Sequence, residues 1–285
     1  MIERVGVIGL GLIGGSIARD LAAAGVAVSG WDRDATVVEQ ALEQRIIRDV
    51  IDPANPDVPV VVLAVPTRAA LEFLGRMAHA SYRPRLITDT GSTKREVCRE
   101  ADRLGLGSCF VGAHPLAGDH RSGWAASRTG LFQDARVYLC TTPESSRDAV
   151  SCACELWQML RARPEQHAAE AHDAMLAWTS HLAQFVSSAF GESLASAGYT
   201  RELLGPGGQS VARLAESSSG LWAGIGMENA DHLIPALEQM QTSLAAMRRA
   251  LEARDTTALI AQLTAARRWA STEAAADQQA VIAPA

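Results

Sequence analysis

Short apolar runs alternate with helix-like patterns along the first 140 or so residues. The runs at residues 5–8 and 58–65 are continuous, as in parallel strands that are covered on both faces. Between such runs, apolar positions recur at helical spacing, for example over residues 17–24. The alternation predicts a doubly wound α/β sheet. The predicted strands are residues 5–8, 26–31, 58–65, 86–90, 109–113 and 137–141.

A different pattern begins at about His167. No strand-like run follows, and Ala, Leu and Gln recur at helical spacing to the end. We therefore expect an α/β domain over residues 1–166 and an all-helical domain over residues 167–285. Long amphipathic helices supply either an internal core or the face of a dimer, and we favour a homodimer through these C-terminal helices. The predicted helices are residues 168–197, 207–217, 221–253 with room for a break, and 256–275.

A glycine-rich turn follows the first predicted strand. Gly9, Gly11 and Gly14 fit the pattern G-x-G-x-x-G, in which glycines permit a tight turn and a close approach of the backbone to a pyrophosphate. The helix that begins there offers free N–H groups and a positive dipole end to phosphate. The fold class is therefore α/β, an N-terminal Rossmann-type doubly wound sheet followed by an all-helical dimerisation domain.

An acidic residue at the end of the second strand bears on the choice of dinucleotide. Asp32 lies 23 positions after Gly9, where a carboxylate accepts hydrogen bonds from the ribose of NAD and repels the ribose phosphate of NADP. Arg33 leaves NADP open, because an arginine there can accommodate that phosphate. We expect NAD as the cofactor. The residues expected to contact it are Gly9, Gly11, Leu12, Ile13, Gly14, Asp32, Arg33, Val65, Pro66 and Ser92.

The composition argues against several other classes. The net charge is -6 and no basic run occurs, so we expect no nucleic-acid partner. No apolar run approaches the length of about 18 residues that a membrane span needs, and we expect no membrane association. No charged leader precedes the first strand, so we expect a cytoplasmic protein. The five cysteines form no C-x-x-C pair, which fits reduced thiols and predicts no metal site.

Three polar segments are the candidates for the chemistry. In an open α/β sheet the ligand binds beyond the carboxyl ends of the strands. Residues 89–94 (D-T-G-S-T-K) follow one predicted strand, and residues 112–118 (G-A-H-P-L-A-G) include the end of the next. The third segment, on the first predicted helix of the helical domain, contains His172-Asp173 and the triplet Ser180-His181-Leu182.

These segments resemble the prephenate and arogenate dehydrogenase family, which commits chorismate-derived cyclohexadienes to tyrosine. Residues 11–16 are G-L-I-G-G-S, residues 89–94 fit D-x-G-S-x-K, and residues 114–118 fit H-P-(M/L)-A-G. The helical part adds the His-Asp pair, the S-H-L triplet and a late arginine. Further matches are Arg213-Leu214-Ala215, Trp222 and Asn229. The motifs occur in the family's order over residues 1 to about 235, so the resemblance implies an NAD-dependent dehydrogenase with a small cyclohexadiene substrate.

The resemblance implies roles for three side chains. His114 would take the proton of a ring hydroxyl while NAD accepts a hydride and the ring carboxylate leaves as carbon dioxide. Ser92 would hydrogen-bond the same hydroxyl and help orient His114 or the nicotinamide, with a helix N-cap as the competing role. The planar fork of Arg213 would bind a substrate carboxylate, unless it is a surface arginine. Lys94 is expected to be a solvated helix residue or a contact at the sheet end.

The chain departs from the family pattern around the substrate. Many members carry S-H-L-P-H, but this chain has S-H-L-A-Q and therefore Gln184 in place of the second histidine. Asp119-His120 stands where many members have a glutamate, and residues 207–210 are G-G-Q-S instead of G-F-R-D. The residues expected to bind the substrate are Arg213, Gln184, His181, Ser180 and His120.

The identity of the substrate stays open at this point. We rank prephenate first, arogenate second and an amino-substituted prephenate analogue of secondary metabolism third. A carboxylate such as Asp119 would favour the amine of arogenate. A non-catalytic NAD-binding sensor is the alternative outside enzymes, and the presence of His114, Ser92 and Arg213 argues against it. A 3-hydroxyacid dehydrogenase or imine reductase is more distant, because H-P-L-A-G is not their signature.

Overall fold

The computed structural model describes residues 2–118 and 121–280, and the side chains of residues 2–118 and 121–271. Its first sheet contains five parallel strands: β1 (Arg4–Ile8), β2 (Ala27–Trp31), β3 (Asp49–Val50), β4 (Val60–Leu63) and β5 (Leu86–Asp89). Their spatial order is β3-β2-β1-β4-β5. The accompanying helices are α1 (Leu12–Ala23), α2 (Ala35–Glu43), α3 (Thr67–Met77) and α4 (Arg95–Arg103).

The central strands are buried on both faces. On β4, Val60 and Val62 pack into one hydrophobic core, whereas Val61 and Leu63 pack into a second. All four side chains are buried because successive residues of a strand point to opposite faces of the sheet. This arrangement accounts for the uninterrupted apolar run in the sequence and confirms the predicted α/β fold class.

A second sheet follows the first. It contains β6 (Val111–Pro115), β7 (Arg136–Thr141) and β8 (Arg163–Ala168) in the order β6-β7-β8. Strand β6 is antiparallel to β7, and β7 is parallel to β8, with helix α5 (Arg147–Met159) as the connection between the last two. An isolated parallel bridge between Ile87 and Phe110 links the two sheets. The predicted strands at residues 109–113 and 137–141 therefore belong to this separate, mixed sheet.

Strand β8 has no counterpart among the predicted strands. Its sequence, R-P-E-Q-H-A, contains no apolar run, and each of its side chains is half-buried or exposed. The strand is held by its backbone pairing with β7, from Arg136↔Arg163 to Thr141↔Ala168. An edge strand of this kind gives no hydrophobic signal, which is why the pattern missed it. The two-residue strand β3 was missed as well.

The remainder of the described chain is helical, as expected. The predicted helix 168–197 is confirmed as α6 (Ala169–Leu176), a π-helical turn at Ala177–His181 and α7 (Leu182–Ser196) in direct succession. The break expected within residues 221–253 occurs at Asn229. The helices that follow are α8 (Pro206–Ala212), α9 (Ser219–Glu228), α10 (Ala230–Glu252) and α11 (Thr256–Ala280).

By its internal contacts the chain forms two compact units, residues 1–233 and residues 234–285. The first unit contains both sheets and the helices up to α9. The functional division expected between residues 166 and 167 stays a prediction. Among the described residues, no helix combines the length and the apolar character that crossing a membrane requires.

Candidate active site

Two glycines of the turn after β1 are required by the fold itself. Gly9 has a φ of 92°, and a Cβ there would lie 2.4 Å from the carbonyl oxygen of Ala64. A Cβ at Gly14 would lie 1.9 Å from the carbonyl oxygen of Gly9. Any larger residue would push the turn away from β4 or from the first turn of α1. These contacts explain the first and last glycines of the motif.

Gly11 has a different environment. A Cβ at this position would meet no atom within 4 Å, so the space next to it is open. Helix α1 begins at the next residue, Leu12, without a side-chain cap and without an acidic residue in its first turn. An uncapped helix N-terminus carries free N–H groups and a partial positive charge, which suits a phosphate. The turn thus fits the pyrophosphate of a dinucleotide.

The carboxylate of Asp32 closes this turn from the end of β2. One oxygen accepts the backbone N–H of Leu10 at 2.7 Å, and the other accepts that of Asp34 at 3.0 Å. Asp32 is half-buried and Arg33 is exposed. The carboxylate is therefore fixed beside the glycine turn, where the sequence places the ribose contact of a dinucleotide.

Other predicted cofactor residues lie at the same edge of the sheet. Leu12 and Ile13 form the start of α1. A Cβ at Gly9 would lie 2.7 Å from the side chain of Val65, so Val65 borders the turn. Pro66 is exposed and immediately precedes α3. Contact of these residues with a bound cofactor stays a prediction.

A buried ion pair organises the loop after β5. The ammonium of Lys94 is fully buried and pairs with the carboxylate of Asp89. The carboxylate also accepts the backbone N–H groups of Gly91, at 2.8 Å, and of Ala113, at 3.2 Å. The expectation of a solvated Lys94 is therefore wrong, and a sheet-end contact is what the structure contains. The pair joins the end of β5 to the residue before His114.

Ser92 lies in this loop and does not cap α4. The helix begins at Arg95, with Lys94 as its N-cap residue, so the competing cap role for Ser92 is wrong. The carboxylate of Asp173 instead accepts the backbone N–H groups of Lys94 and Arg95, each at 2.9 Å. The Ser92 hydroxyl is half-buried, and it hydrogen-bonds no described residue of the protein. Its predicted contact with a ligand stays open.

His114 lies on β6 at the start of a chain of hydrogen-bonded side chains. Its Nδ1 is 2.9 Å from Nε2 of His172, whose Nδ1 is 2.7 Å from Oδ1 of Asp173. His172 and Asp173 are buried, and His114 is 8 % exposed. Burial lowers the pKa of His114 well below its usual value, and the nearby His172 and Lys94 lower it further. His114 is therefore a neutral imidazole at neutral pH.

Asp173 is also linked to His181. Asn229 donates through Nδ2 to the main-chain carbonyl of Asp173 at 2.8 Å, and the same Nδ2 is 3.1 Å from Nδ1 of His181. The His181 ring packs edge-on against Trp222, with ring centroids 6.0 Å apart. Burial lowers the pKa of His181 to about 4, and the charge of Asp173 opposes this shift only in part. His181 is neutral as well.

The remaining predicted substrate residues lie on or near α7. Ser180 is half-buried in the π-helical turn. Gln184 is buried and donates through Nε2 to the carbonyl of Leu214 at 2.8 Å. Arg213 is exposed and directly precedes Leu214, whose carbonyl accepts the hydrogen bond from Gln184. Asp119 and His120 lie outside the described residues.

The structure thus brings His114 and His181 together around Asp173, whereas Arg213 occupies a separate, exposed turn. The sequence indicated the His172-Asp173 pair as a motif without assigning it a role. It missed the contact of His172 with His114, which joins residues 58 positions apart in the sequence. It also missed the pairing of Asp89 with Lys94. In both cases the residues were visible in motifs, but nothing in their spacing indicated which side chains touch.

The fold and the site define a dinucleotide-dependent oxidoreductase. The glycine turn that suits a phosphate follows β1, and the neutral imidazole of His114 lies on β6 of the second sheet. A nucleotide turn and a neutral base are the groups that transfer of a hydride and a proton requires. Two family models match the chain: "Prephenate dehydrogenase, nucleotide-binding domain" over residues 17–166 and "Prephenate dehydrogenase, dimerization domain" over residues 168–265. The chain belongs to the prephenate dehydrogenase family.

Curated relatives agree with this assignment, and a solved structure shares the fold. A cyclohexadienyl dehydrogenase of Zymomonas mobilis is 31% identical over 267 residues, which are 90% of this chain and 90% of that protein. The prephenate dehydrogenase of Bacillus subtilis is 30% identical over 270 residues, which are 90% of this chain and 72% of that protein. A crystal structure of prephenate dehydrogenase from A. aeolicus, in complex with hydroxyphenyl propionate and NAD+, shares the fold, with a TM-score of 0.86, 24% identity and coverage of 95% and 98%.

Proposed function

We propose that this protein oxidises and decarboxylates prephenate to 4-hydroxyphenylpyruvate with NAD, a step of tyrosine biosynthesis. The observation that carries the proposal is the neutral, nearly buried imidazole of His114 on β6, in a chain whose first strand is followed by the glycine turn. The family membership and the ligands named for the A. aeolicus structure support it.

The site fits NAD in three respects. The open space at Gly11 leaves room for a pyrophosphate, and the uncapped N-terminus of α1 supplies N–H donors. The carboxylate of Asp32 supplies a negatively charged acceptor for ribose hydroxyls and disfavours the phosphate of NADP. Ser92, Val65 and Pro66 border the same edge of the sheet. When bound, NAD supplies the acceptor for the hydride of the carbinol carbon.

His114 supplies the proton transfer. As a neutral base it takes the proton of the ring hydroxyl, and the O–H electrons form a carbonyl as the hydride departs. The ring carboxylate leaves as carbon dioxide, and the electrons of the broken C–C bond make the ring aromatic. The phenolate oxygen then recovers the proton from His114, so no proton is consumed overall. Low pKa and burial keep His114 in the form that can accept the proton.

The other polar residues bind and orient the substrate. Ser92 hydrogen-bonds the reacting hydroxyl, and the guanidinium of Arg213 binds the carboxylate of the side chain. Further polar side chains for binding the substrate come from the π-helical turn and α7, namely Ser180, His181 and Gln184. We include His120 among the residues that bind the substrate because it closely follows the H-P-L-A-G segment in the sequence.

Arogenate is the second candidate substrate. The similarity to a cyclohexadienyl dehydrogenase supports it, because that name covers more than one cyclohexadiene. Arogenate carries an amine where prephenate has a keto group, so the two substrates require different hydrogen-bonding or charged partners near the side chain.

The decisive experiment follows NADH absorbance with prephenate and arogenate in parallel. We expect turnover with NAD and prephenate, and a loss of roughly 10²- to 10⁴-fold in kcat for His114→Asn. His79→Asn, at an exposed position, is the matched control. Faster turnover of arogenate would replace the substrate and keep the reaction. Binding of NAD without turnover of either compound would favour the amino analogue or a sensor, and an unchanged His114→Asn variant would remove His114 from the chemistry.

We propose that the protein acts as a homodimer. The family model over residues 168–265 describes a dimerization domain. Within residues 234–271, large apolar side chains are exposed, and association would bury them. They include Leu244, Leu251, Ile260, Leu263 and Trp269. Light scattering after size exclusion should give twice 30.2 kDa, and a mass of 30.2 kDa at micromolar concentration would contradict the dimer.

A further inference from the structure

Asp173 accepts hydrogen bonds from two main-chain donors and a ring nitrogen. The backbone N–H groups of Lys94 and Arg95 can only donate, so both carboxylate oxygens are acceptors. Burial alone would raise the pKa of Asp173, but its hydrogen bonds to His172, Arg95 and Lys94 outweigh burial and lower the pKa. The ionised carboxylate therefore requires a proton on Nδ1 of His172.

This requirement passes along the chain of imidazoles. A neutral His172 with its proton on Nδ1 has a lone pair on Nε2, and that atom faces Nδ1 of His114 at 2.9 Å. A hydrogen bond forms only if His114 carries its proton on Nδ1. The Nε2 atom of His114 is then unprotonated, and it has no partner among the described residues. A free imidazole prefers the opposite tautomer, so the chain selects the form that can act as a base through Nε2.

The main chain of Asp173 imposes the opposite form on His181. Both amide hydrogens of Asn229 are used, one on the carbonyl of Asp173 and one on Nδ1 of His181. The orientation of this amide is consistent with Arg95, a pure donor, which lies 3.3 Å from Oδ1 of Asn229. His181 therefore accepts through Nδ1 and carries its proton on Nε2, a buried atom without a hydrogen-bond partner among the described residues.

From these contacts we propose that Asp173 is a positioning residue that fixes His114 with its proton on Nδ1 and His181 with its proton on Nε2. The part that concerns catalysis rests on the proposed function, because it assumes that His114 is the base. His172 and Asn229 transmit the two effects. The site thus presents one imidazole as an acceptor and a second as a donor.

Nitrogen-15 NMR of histidine tests the tautomers directly and without substrate. A protonated ring nitrogen and one with a lone pair have widely separated chemical shifts. The chain has seven histidines, and single substitutions of His114, His172 and His181 assign their signals. We expect protonated Nδ1 atoms in His114 and His172 and a protonated Nε2 in His181. A proton on Nε2 of His114, or on Nδ1 of His181, would overturn the proposal whatever the substrate proves to be.

Two variants at His172 test the consequence for catalysis. His172→Gln keeps an acceptor for Nδ1–H of His114, whereas His172→Leu removes it. We expect His172→Leu to lower kcat by at least about 10²-fold with little change in KM, and to shift His114 toward a protonated Nε2. His172→Gln should recover most of the activity, and His79→Gln is the control. Equal losses of kcat in both His172 variants, with an unchanged His114 tautomer, would show that His172 has only a structural role.

Discussion

Lys94 is the chain's only lysine, and its ammonium pairs with the carboxylate of Asp89 inside the protein. The other 25 basic positions are arginines. Gly112 lies against this pair: a Cβ there would be 3.2 Å from Cδ of Lys94 and 3.3 Å from Oδ1 of Asp89. The pair connects the loop that carries Ser92 to the strand that carries His114.

The burial of Lys94 predicts a specific pattern of amine modification. Acetylation of the native protein should leave Lys94 unmodified and label the terminal amine alone, whereas acetylation in denaturant should add a second group. Intact mass and peptide mapping measure both. Rapid acetylation of Lys94 in the folded protein would contradict a closed ion pair.

Replacing Lys94 should destabilise the whole fold. Lys94→Met leaves the Asp89 carboxylate buried without its countercharge, which costs about 3–5 kcal/mol. Denaturant unfolding, followed by circular dichroism, measures the change in the free energy of unfolding. Arg76→Met, at an exposed helix position, is the control. A loss below about 1 kcal/mol, the level of a surface pair, would contradict the arrangement.

Asp32 is expected to govern the choice between NAD and NADP through its charge. Asp32→Ala removes a charged hydrogen-bond acceptor, and we expect NAD binding to weaken by about 1.5–3 kcal/mol. Asp32→Asn can keep an acceptor for the N–H of Leu10 but removes the charge, so it should mainly raise kcat/KM with NADP. Steady-state kinetics measures kcat/KM with NAD and with NADP for each variant. Asp49→Asn, on the exposed strand β3, is the control. An unchanged cofactor ratio in both Asp32 variants would place the ribose elsewhere.

Gln184 is expected to act on the substrate partly through the turn that carries Arg213. Its Nε2 binds the Leu214 carbonyl, and Ser187 donates to the carbonyl of Val211 at 2.6 Å. Gln184→Ala should therefore loosen this turn and raise the KM for prephenate about tenfold, a change of about 1.4 kcal/mol. Gln158→Ala, at an exposed position of α5, is the control.

A double variant separates the direct role of Gln184 from the indirect one. If Gln184 acts through Arg213, Gln184→Ala should add little to the effect of Arg213→Ala on KM, because the two residues form one unit. Additive effects would indicate that Gln184 contacts the substrate independently. A normal KM in Arg213→Ala would remove Arg213 from the site.

The parts of the structure that local geometry dictates were predictable from the sequence. Gly9 and Gly14 belong to a motif of fixed spacing along one strand, turn and helix, so the glycine pattern alone indicated the nucleotide turn, although both glycines also lie against Ala64 after β4. The long-range contacts were not predictable. Lys94 resembled a solvated helix residue because its partner, Asp89, looked like one more polar residue of the same loop. The pairing of His114 with His172 depends on how α6 packs near β6 and β7, which no sequence spacing encodes.

The pH dependence of kcat/KM should reflect the lowered pKa of His114. Because the neutral form is the base, activity should be lost on the acid side. Burial moves the pKa of His114 well below its ordinary value near 6.5. We therefore expect the acid limb of kcat/KM, which reports the free enzyme, to lie well below pH 6.5. A limb at or above pH 6.5, unaffected by substitution of other histidines, would contradict a desolvated His114.

The stability of the protein should fall with pH because of the same buried histidines. The pKa of His181 is about 4 in the folded protein and near 6.5 in an unfolded chain. Between these values the unfolded chain binds a proton that the folded protein does not, so the free energy of unfolding decreases as the pH falls. His181 alone contributes about 3 kcal/mol, all of it present above pH 6.5 and lost progressively toward pH 4. His114 and His172, whose pKa values burial also lowers, act in the same direction.

Unfolding curves at pH 7.5, 6 and 5 should show this decline in the free energy of unfolding. His181→Gln should make the decline shallower, whereas His79→Gln should leave it unchanged. An equally steep decline in His181→Gln would show that His181 is protonated in the folded protein or exposed to water.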